Sequence, residues 1–474
     1  MPLIDRIYID GVFVEPHGTE LFDLFNPATG KAIGQVRLAD ADDANAAVAA
    51  AKRAFPMWSR TATAERLKML GRMADALAAR RDDLIAAIVE EFGAPVMLAG
   101  WMADHAVSVF HDTSAVLENY DFLRQAGTAD VLMTPLGVVG LITPWNGNAG
   151  TICGKLAAAL AAGCTAVIKP SEMSATQTRV VTEALHEAGL PAGVFNIVTG
   201  RGEVVGEALV AHPEVAKISF TGSTAVGKSI MRGAVETLKR VTLELGGKSP
   251  TIILDDADLA STIPMAVQAG FMNSGQACVA GTRLLVPQDK LVEVERLATE
   301  AAEAFAVGDP TDPATTMGPL VSARQWERVQ RYIRLGQEEG ARLVTGGSGR
   351  PDGLDGWYVR PTVFSDATNA MTIAREEIFG PVITIIPYAD EEDAIAIAND
   401  TSYGLQAMVL SGDDSSARRV AERIDAGRVL MNTLAHEPAA PFGGFKQSGI
   451  GREYGSFGLD GFLEPKALLG ARAA

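Results

Sequence analysis

The run Val138-Val-Gly-Leu-Ile142 leads directly into the turn Thr143-Pro-Trp-Asn146 and then into an alanine-rich helical pattern over about residues 149–162. Five apolar residues bounded by turn signals are typical of a strand buried on both faces. Strand and helix then alternate, giving four β-α steps, with strands predicted at 166–169, 194–198, 215–220 and 241–245. This alternation predicts an α/β fold with a doubly wound parallel sheet.

The predicted sheet is Rossmann-like, and nucleotides bind such sheets at the carboxyl ends of the strands. A second α/β unit is predicted to begin near Gly246. Its expected strands are 250–254, 284–287, 382–386 and one around Met408, with helices at 259–272, 290–305, 322–339, 391–399 and 415–424. The chain is therefore expected to contain two or three domains, as its length of 474 residues also suggests.

The first third of the chain has a different pattern. Short strands and turns are predicted over residues 8–36, and helices at 40–55, at 63 to about 91 and at 101–120. A β-like segment follows at 131–139. The apolar tail at 459–469 is predicted to form an edge strand.

Composition narrows the class of partner. The net charge of −17 and the scattered acidic residues would repel nucleic acid and anionic lipid. No stretch reaches the roughly 18 apolar residues of a membrane span, and no basic-then-apolar leader is visible. A small-molecule substrate, no nucleic acid, no membrane and a cytoplasmic location are expected.

The three cysteines form no Cys-x-x-Cys pair, and the histidines lack ligand spacing, so no metal site is expected. Cys278 stands out because it lies in the loop Asn273-Ser-Gly-Gln-Ala-Cys278-Val-Ala-Gly-Thr-Arg283, among small residues that leave its sulfur open to approach. By itself this setting fits either a nucleophile or a cysteine that packs as a small hydrophobic residue.

Other polar residues follow predicted strands. Asn146 fits an oxyanion donor or an ordinary turn residue, and Lys169 with Glu172 fits a ribose site or a solvated helix start. The segment Phe220-Thr-Gly-Ser223 leads from a strand into a helix, which suits a pyrophosphate. Glu244 lies in an apolar strand before two glycines, as expected of either a general base or a structural carboxylate.

Taken together, these segments resemble the NAD(P)-dependent aldehyde dehydrogenase superfamily of the hydrolytic, non-acylating type, from about Asn26 to Gly461. The resemblance is carried, in chain order, by Pro-Trp-Asn146, Lys169-Pro-Ser-Glu172, Phe-Thr-Gly-Ser223, Glu244-Leu-Gly-Gly, Gly-Gln-Ala-Cys278, Glu377-Ile-Phe-Gly-Pro, Asn432 and Pro-Phe-Gly-Gly-Phe-Lys446.

The resemblance implies covalent catalysis by a cysteine. Cys278 matches the nucleophile that forms a thiohemiacetal and then a thioester, and Glu244 matches the base that activates the thiol or the hydrolytic water. Asn146, with the Cys278 N–H, matches the oxyanion hole, and Lys155 matches a supporting lysine.

The implied cofactor is NAD, with use of NADP left open; Glu172 favours NAD because it would repel a 2′-phosphate. The implied cofactor residues are Thr143, Trp145, Lys169, Glu172, Gly202, Gly222, Ser223, Leu245, Glu377 and Phe379. Trp145, Lys169 and Glu172 are expected around the adenosine ribose, Gly222 and Ser223 at the pyrophosphate, and Glu377 and Phe379 at the nicotinamide.

The substrate residues implied are Asn146, Thr151, Gly154, His436 and Phe442. Gly147, Gly150 and Gly154 stand where many relatives carry bulky residues. A wide tunnel and a bulky or branched aldehyde are therefore expected, with Trp101 near the mouth.

The resemblance further implies an NAD-binding domain at 1–116 and 136–245, a catalytic domain at 246–447, and a small β oligomerisation arm at 117–135 and 455–474 that builds a homodimer or homotetramer. Three alternatives remain: a CoA-acylating aldehyde dehydrogenase, which typically lacks the glutamate matched by Glu244, a cysteine esterase, and a catalytically silent homologue.

Overall fold

The computed structural model describes residues 2–470. The chain before residue 138 contributes short strands and four helices. The strands are β1 (Leu3–Ile4), β2 (Ile7–Ile9), β3 (Val12–Val14), β4 (Leu21–Asn26), β5 (Lys31–Arg37), β6 (Leu123–Ala126) and β7 (Ala129–Pro135). The helices are α1 (Ala41–Trp58), α2 (Thr63–Ala79), α3 (Arg81–Glu91) and α4 (Val96–Glu118). The single helix predicted from residue 63 to about 91 is wrong: it breaks at Arg80, whose ψ of 17° leaves the helical range.

The predicted doubly wound sheet is present. Its strands are β8 (Val138–Ile142), β9 (Thr165–Lys169), β10 (Phe195–Ile197), β11 (Val215–Thr221) and β12 (Arg240–Glu244). They run parallel in the order β12-β11-β8-β9-β10, and β2 and β3 extend the β10 edge antiparallel. The crossing helices are α5 (Asn148–Ala162), α6 (Ala175–Glu187), α7 (Glu207–Ala211) and α8 (Thr224–Ala234).

A second large sheet follows. Its strands are β13 (Pro250–Ile253), β14 (Arg283–Pro287), β15 (Arg342–Thr345), β16 (Thr362–Ser365), β17 (Val382–Tyr388), β18 (Gln406–Leu410) and β19 (Arg428–Met431). The order is β15-β16-β17-β14-β13-β18-β19, and all neighbours except β15 and β16 are parallel. Its helices are α9 (Leu259–Phe271), α10 (Leu291–Glu303), α11 (Ala323–Glu338), α12 (Thr372–Arg375), α13 (Glu391–Asn399) and α14 (Asp414–Ala421).

The last described residues return to the earlier parts of the chain through β20 (Gly449–Ile450), α15 (Gly455–Asp460) and β21 (Leu463–Leu468). Strand β20 pairs with β12, and β21 pairs with β7 to form the small sheet β21-β7-β6. The predicted edge strand at 459–469 is thus present but begins later, because Leu459 belongs to α15. Residues 471–474 of the predicted arm lie outside the described residues, and the domain boundaries stay a proposal.

The two large sheets meet in a way that positions the site. The carboxyl ends of β8, β9, β11 and β12 lie along one edge of the first sheet. Gly246 and Gly247 connect β12 to the amino end of β13, and the Cys278 loop leads into the amino end of β14. The carboxyl edge of the first sheet therefore faces the amino edge of the second. No helix within residues 2–470 is long and apolar enough to cross a membrane.

Candidate active site

The loop that carries Cys278 is shaped by left-handed backbone. Asn273 and Ser274 both have a φ of 56° and Gly275 has 72°, which reverses the chain directly after α9. At Gly275 a Cβ atom would lie 2.1 Å from the Gly380 backbone, so only glycine fits this contact. The reversal leaves Cys278 on the wall of a cavity that Asn146 and Glu244 also line.

The thiol is held in its neutral form at rest. Burial, with the nearby carboxylates of Glu377 and Glu244, raises the pKa of Cys278 to about 12, while Arg428 acts in the opposite direction. Because the thiolate is the nucleophilic form, this cysteine needs a proton acceptor before it can attack.

Asn146 is fixed against the same loop from both sides. Its side-chain Nδ2 donates to the backbone carbonyl oxygen of Gln276 at 2.9 Å, and its backbone carbonyl oxygen accepts from Asn273 Nδ2 at 3.2 Å. One N–H of the Asn146 amide remains for another acceptor. The amide therefore lies against the loop that carries Cys278, and its role as an oxyanion donor stays a prediction.

Glu244 ends strand β12 and is only 2% exposed. Neither carboxylate oxygen has a hydrogen-bond partner within the described part of the chain. Burial, and then the charge of Glu453, raise the pKa of Glu244 well above its ordinary value; Lys155 and Arg452 oppose them. A buried carboxylate without partners is costly when charged, so it is ready to accept a proton.

Lys155 reaches this cavity from α5. Its Nζ donates to Ser219 Oγ at 2.9 Å and forms an ion pair with Glu453. The sequence patterns did not identify Glu453, which is 298 residues away in sequence from Lys155. The short Gly-rich segment around Glu453 gives no indication of its partner. The one signal in the sequence is a pair of charged residues, Arg452 and Glu453, between two glycines.

Several of the predicted cofactor residues lie at the ends of β8 and β9 or soon after them. The Thr143 N–H donates to the Lys169 carbonyl oxygen at 3.0 Å, and Lys169 Nζ donates to Glu172 Oε2 at 3.3 Å. Gly202 begins a single turn of π-helix, with no atom within 4 Å of where its Cβ would stand. Arg201, which the patterns missed, lies 3.6 Å from the Glu172 carboxylate.

The predicted pyrophosphate residues lie at the start of α8. Ser223 is the N-cap, and its Oγ accepts from the Val226 N–H at 3.4 Å. The Gly222 N–H donates to the Glu244 carbonyl oxygen at 2.9 Å. One backbone hydrogen bond therefore links the start of α8 to strand β12, which carries Glu244.

The nicotinamide-side residues lie beyond β12. Glu377 Oε1 accepts from the Gly247 N–H at 3.0 Å, and burial raises the pKa of Glu377 to about 7. Leu245 covers Gly227, where a Cβ would lie 2.6 Å from its side chain. The Trp145 ring, expected near the ribose, packs edge to face against Phe379 with ring centroids 5.4 Å apart.

The cavity beside Cys278 has a volume of about 350 Å³ and continues between α4 and α5. Thr151, Gly154, His436 and Phe442, all predicted for the substrate, line it. A Cβ at Gly154 would touch only Val109, at 3.9 Å, so the missing side chain leaves open space.

A row of aromatic rings lines one part of the cavity. Trp101 stacks on His105 with ring centroids 5.2 Å apart, His105 meets His436 at 5.9 Å, and His436 meets Tyr454 at 5.2 Å. A second cavity of about 930 Å³ shares Trp101, His105 and His436 with the first. The patterns predicted Trp101 and His436 but missed His105 and Tyr454.

The chain is similar to known proteins over nearly its whole length. The sequence model of the aldehyde dehydrogenase family matches residues 13–468. The chain is 48% identical over 468 residues to 3-succinoylsemialdehyde-pyridine dehydrogenase from a Pseudomonas species, covering 98% of both proteins.

Two solved structures are similar throughout. A mutant of aldehyde dehydrogenase C from Pseudomonas syringae, complexed with NAD⁺ and octanal, has a TM-score of 0.97 at 45% identity, over 99% of this chain and 98% of that one. Mycobacterium tuberculosis aldehyde dehydrogenase complexed with NAD⁺ has a TM-score of 0.95 at 42% identity, over the same shares. The chain belongs to the aldehyde dehydrogenase family.

Proposed function

We propose that this member of the family oxidises a bulky aldehyde to its carboxylic acid with NAD as cofactor, and that Cys278 carries the substrate during the reaction. One observation carries this proposal: Cys278, Asn146 and Glu244 line a single cavity where the two large sheets meet.

The cofactor-side residues fit a dinucleotide. Glu172 offers carboxylate acceptors to ribose hydroxyls, the start of α8 at Ser223 offers N–H donors to a pyrophosphate, and Glu377 offers a further acceptor beside Gly246. A Cβ at Gly246 would lie 2.5 Å from the Glu377 carboxylate, so glycine here allows the carboxylate to lie close to the backbone. When bound, NAD supplies the acceptor for the hydride that leaves the substrate carbon.

The first steps require a proton acceptor and an oxyanion donor. Glu244 takes the proton from the Cys278 thiol, directly or through water, and its raised pKa makes it a stronger base than an ordinary carboxylate. The thiolate then bonds to the aldehyde carbon, and the negative charge that develops on the oxygen is stabilised by the Asn146 amide and the Cys278 N–H. Loss of one such donor typically costs about 3 kcal/mol of transition-state stabilisation.

The second half of the reaction cleaves the thioester. Glu244 first releases to solvent the proton that it took from the thiol, and then takes a proton from water. The hydroxide oxygen bonds to the acyl carbon, and the C–S bond breaks to release the acid and the Cys278 thiolate. Water is therefore the acyl acceptor, and the CoA-acylating alternative is not favoured. The Lys155–Glu453 pair lies near Glu244 and balances the charge around it.

The preference for bulky aldehydes is supported by the open space at Gly154 and by relatives. The similar Pseudomonas enzyme is named for a pyridine-bearing semialdehyde, and the similar P. syringae structure contains octanal. An aldehyde with a long or aromatic side group would fill the space between α4 and α5.

We also propose a homodimer or homotetramer. Strands β6 and β21 are the two edges of the small sheet, and Leu123 and Leu468 on them are 48% and 46% exposed. Edge strands with exposed apolar residues are natural sites of pairing with another chain. A cytoplasmic location stays a prediction, supported by three free cysteines.

A panel of aldehydes from propanal to 3-phenylpropanal and octanal, assayed by NADH absorbance with NAD and NADP in parallel, tests this function. The expected result is a higher kcat/KM for the larger aldehydes with NAD, and loss of turnover in Cys278→Ala with NAD binding retained. Turnover by Cys278→Ala would refute covalent catalysis, and the absence of NADH formation from every aldehyde would favour the silent or esterase alternative.

A further inference from the structure

Arg428 is a cavity residue that the proposed mechanism does not use. It begins strand β19 and lines the cavity next to Cys278. Its Nε donates to Gln406 Oε1 at 2.6 Å, its Nη1 donates to His436 Nδ1 at 3.3 Å, and its guanidinium lies 4.9 Å from the Phe442 ring centroid. Within residues 2–470 it forms no ion pair, and its Nη2 donates to no group.

The guanidinium is held in one place. Gln406 and Arg428 are register partners on the parallel strands β18 and β19. Gln406 Nε2 in turn donates at 3.1 Å to the carbonyl oxygen of Val279, the residue after Cys278. Arg428 is thereby tied to the nucleophile loop through one side chain, and its free N–H groups have a defined direction.

The N–H groups of Arg428 that have no protein partner are not sealed from solvent, and they open into the cavity where a bound ligand can accept from them. Two of its five N–H groups donate to neutral partners, Gln406 Oε1 and His436 Nδ1. His436 Nδ1 is the acceptor in its hydrogen bond, because a guanidinium has only donors. The remaining donors are suited to an oxygen acceptor, and a fork of this shape binds carbonyl or carboxylate oxygens well.

We propose that Arg428 is a specificity-determining residue, which binds an oxygen acceptor on the side group of the aldehyde. The substrate class is then a bulky aldehyde that carries a second carbonyl or a carboxylate, while Phe442 and the small residues of α5 contact its apolar part. This inference rests on the proposed aldehyde oxidation and adds to it a chemical requirement away from the reacting carbon.

A second role for Arg428 must be separated from this one. Its positive charge near Cys278 favours the thiolate, and that effect would act equally on every substrate. Recognition of a side-group oxygen acts only on substrates that have one. The quantity that distinguishes the two roles is therefore the ratio of kcat/KM within a matched pair of aldehydes.

The experiment uses two pairs: 4-oxo-4-phenylbutanal with 4-phenylbutanal for a ketone, and 8-oxooctanoate with octanal for a carboxylate. Arg428→Met keeps an unbranched apolar stem as far as the position of Nε and removes the donors. The expected result is that the ratio of kcat/KM, acceptor-bearing over acceptor-free, falls about 10–100-fold for at least one pair, as for loss of a hydrogen bond to a charged group. The pair that responds identifies the acceptor.

Arg423→Met is the matched control, because Arg423 lies on the surface and pairs with Glu392 outside the cavity. It should leave both ratios unchanged. Unchanged ratios in Arg428→Met, with or without a uniform loss of activity, would overturn the proposal. Octanal turnover measured alongside tests the underlying aldehyde oxidation separately, and a thermal melt confirms that each variant folds.

Discussion

The open space at Gly154 gives a direct test of why this cavity accepts large substrates. Gly154 lies on α5, and its missing side chain points into the cavity that separates α5 from α4. A Cβ there meets only Val109 at the ordinary contact distance of 3.9 Å. Gly154→Phe should therefore fold, with the benzyl group occupying space that a bulky aldehyde would use.

The expected loss can be estimated from area. An aromatic side group buries about 150–250 Å², which at about 25 cal/mol per Å² corresponds to about 4–6 kcal/mol. The benzyl group takes only part of the space of such a side group, so we take the loss to be about half of this burial. A loss of about 2–3 kcal/mol lowers kcat/KM about 30–150-fold.

The assay compares 3-phenylpropanal with propanal by NADH absorbance. Propanal is too short to use the space beside Gly154, so its kcat/KM should change less than about threefold. That is well below the tenfold change that corresponds to about 1.4 kcal/mol. Gly71→Phe on α2 is a matched control, since no atom lies within 4 Å of its Cβ position and it is remote from the cavity residues. Equal losses for both aldehydes, or none for 3-phenylpropanal, would refute the reasoning.

Three further predictions concern buried charges. Glu244→Gln keeps the shape of the side chain but removes the proton acceptor, and should lower kcat about 10²–10⁴-fold in the NADH assay; a change under tenfold would remove Glu244 from the mechanism. Glu172→Gln removes the charge that opposes a 2′-phosphate, so KM for NADP should fall relative to KM for NAD; an unchanged ratio would contradict the role of this carboxylate. Burial lowers the pKa of Lys248 from 10.5 to about 7, and its Nζ has no partner among the described residues. Above pH 10.5 the amine is neutral in both the folded and the unfolded chain, and burying it carries no ionisation cost. As the pH falls from 10.5 toward 7, the unfolded chain binds a proton that the folded chain does not, so stability is lost. Lys248→Met should thus raise Tm more at pH 7 than at pH 10, and a shift independent of pH would contradict this.

Several elements followed from local pattern because their burial is written in the residues themselves. The strands at 138–142 and 215–220 are apolar runs between turns, and the structure has them at Val138–Ile142 and Val215–Thr221. The short strands β15 and β16 were not predicted, since Arg342–Thr345 and Thr362–Ser365 are too short and mixed for a period to show. Pairing with β17 stabilises β16 as a strand, and β16 in turn pairs with β15.

The site divides in the same way. Motif residues such as Cys278, Glu244 and Asn146 could be identified because each follows or ends a predictable strand or helix. Glu453 and Arg428 could not, because their importance depends on neighbours far along the chain: Lys155 for the first, and Gln406 and His436 for the second.

By itself, the sequence determined the α/β class, the alternation of strands and helices along the chain, the family resemblance and the nucleophile loop, since these depend on local periodicity and on residue types at fixed spacing. Only the tertiary structure decided which charges are left without partners. Glu244 has no hydrogen-bond partner and Arg428 has no carboxylate among the described residues because β12 and β19, from two different sheets, direct both side chains into one cavity. Burial and pairing are properties of the assembled fold, so no stretch of sequence carries them alone.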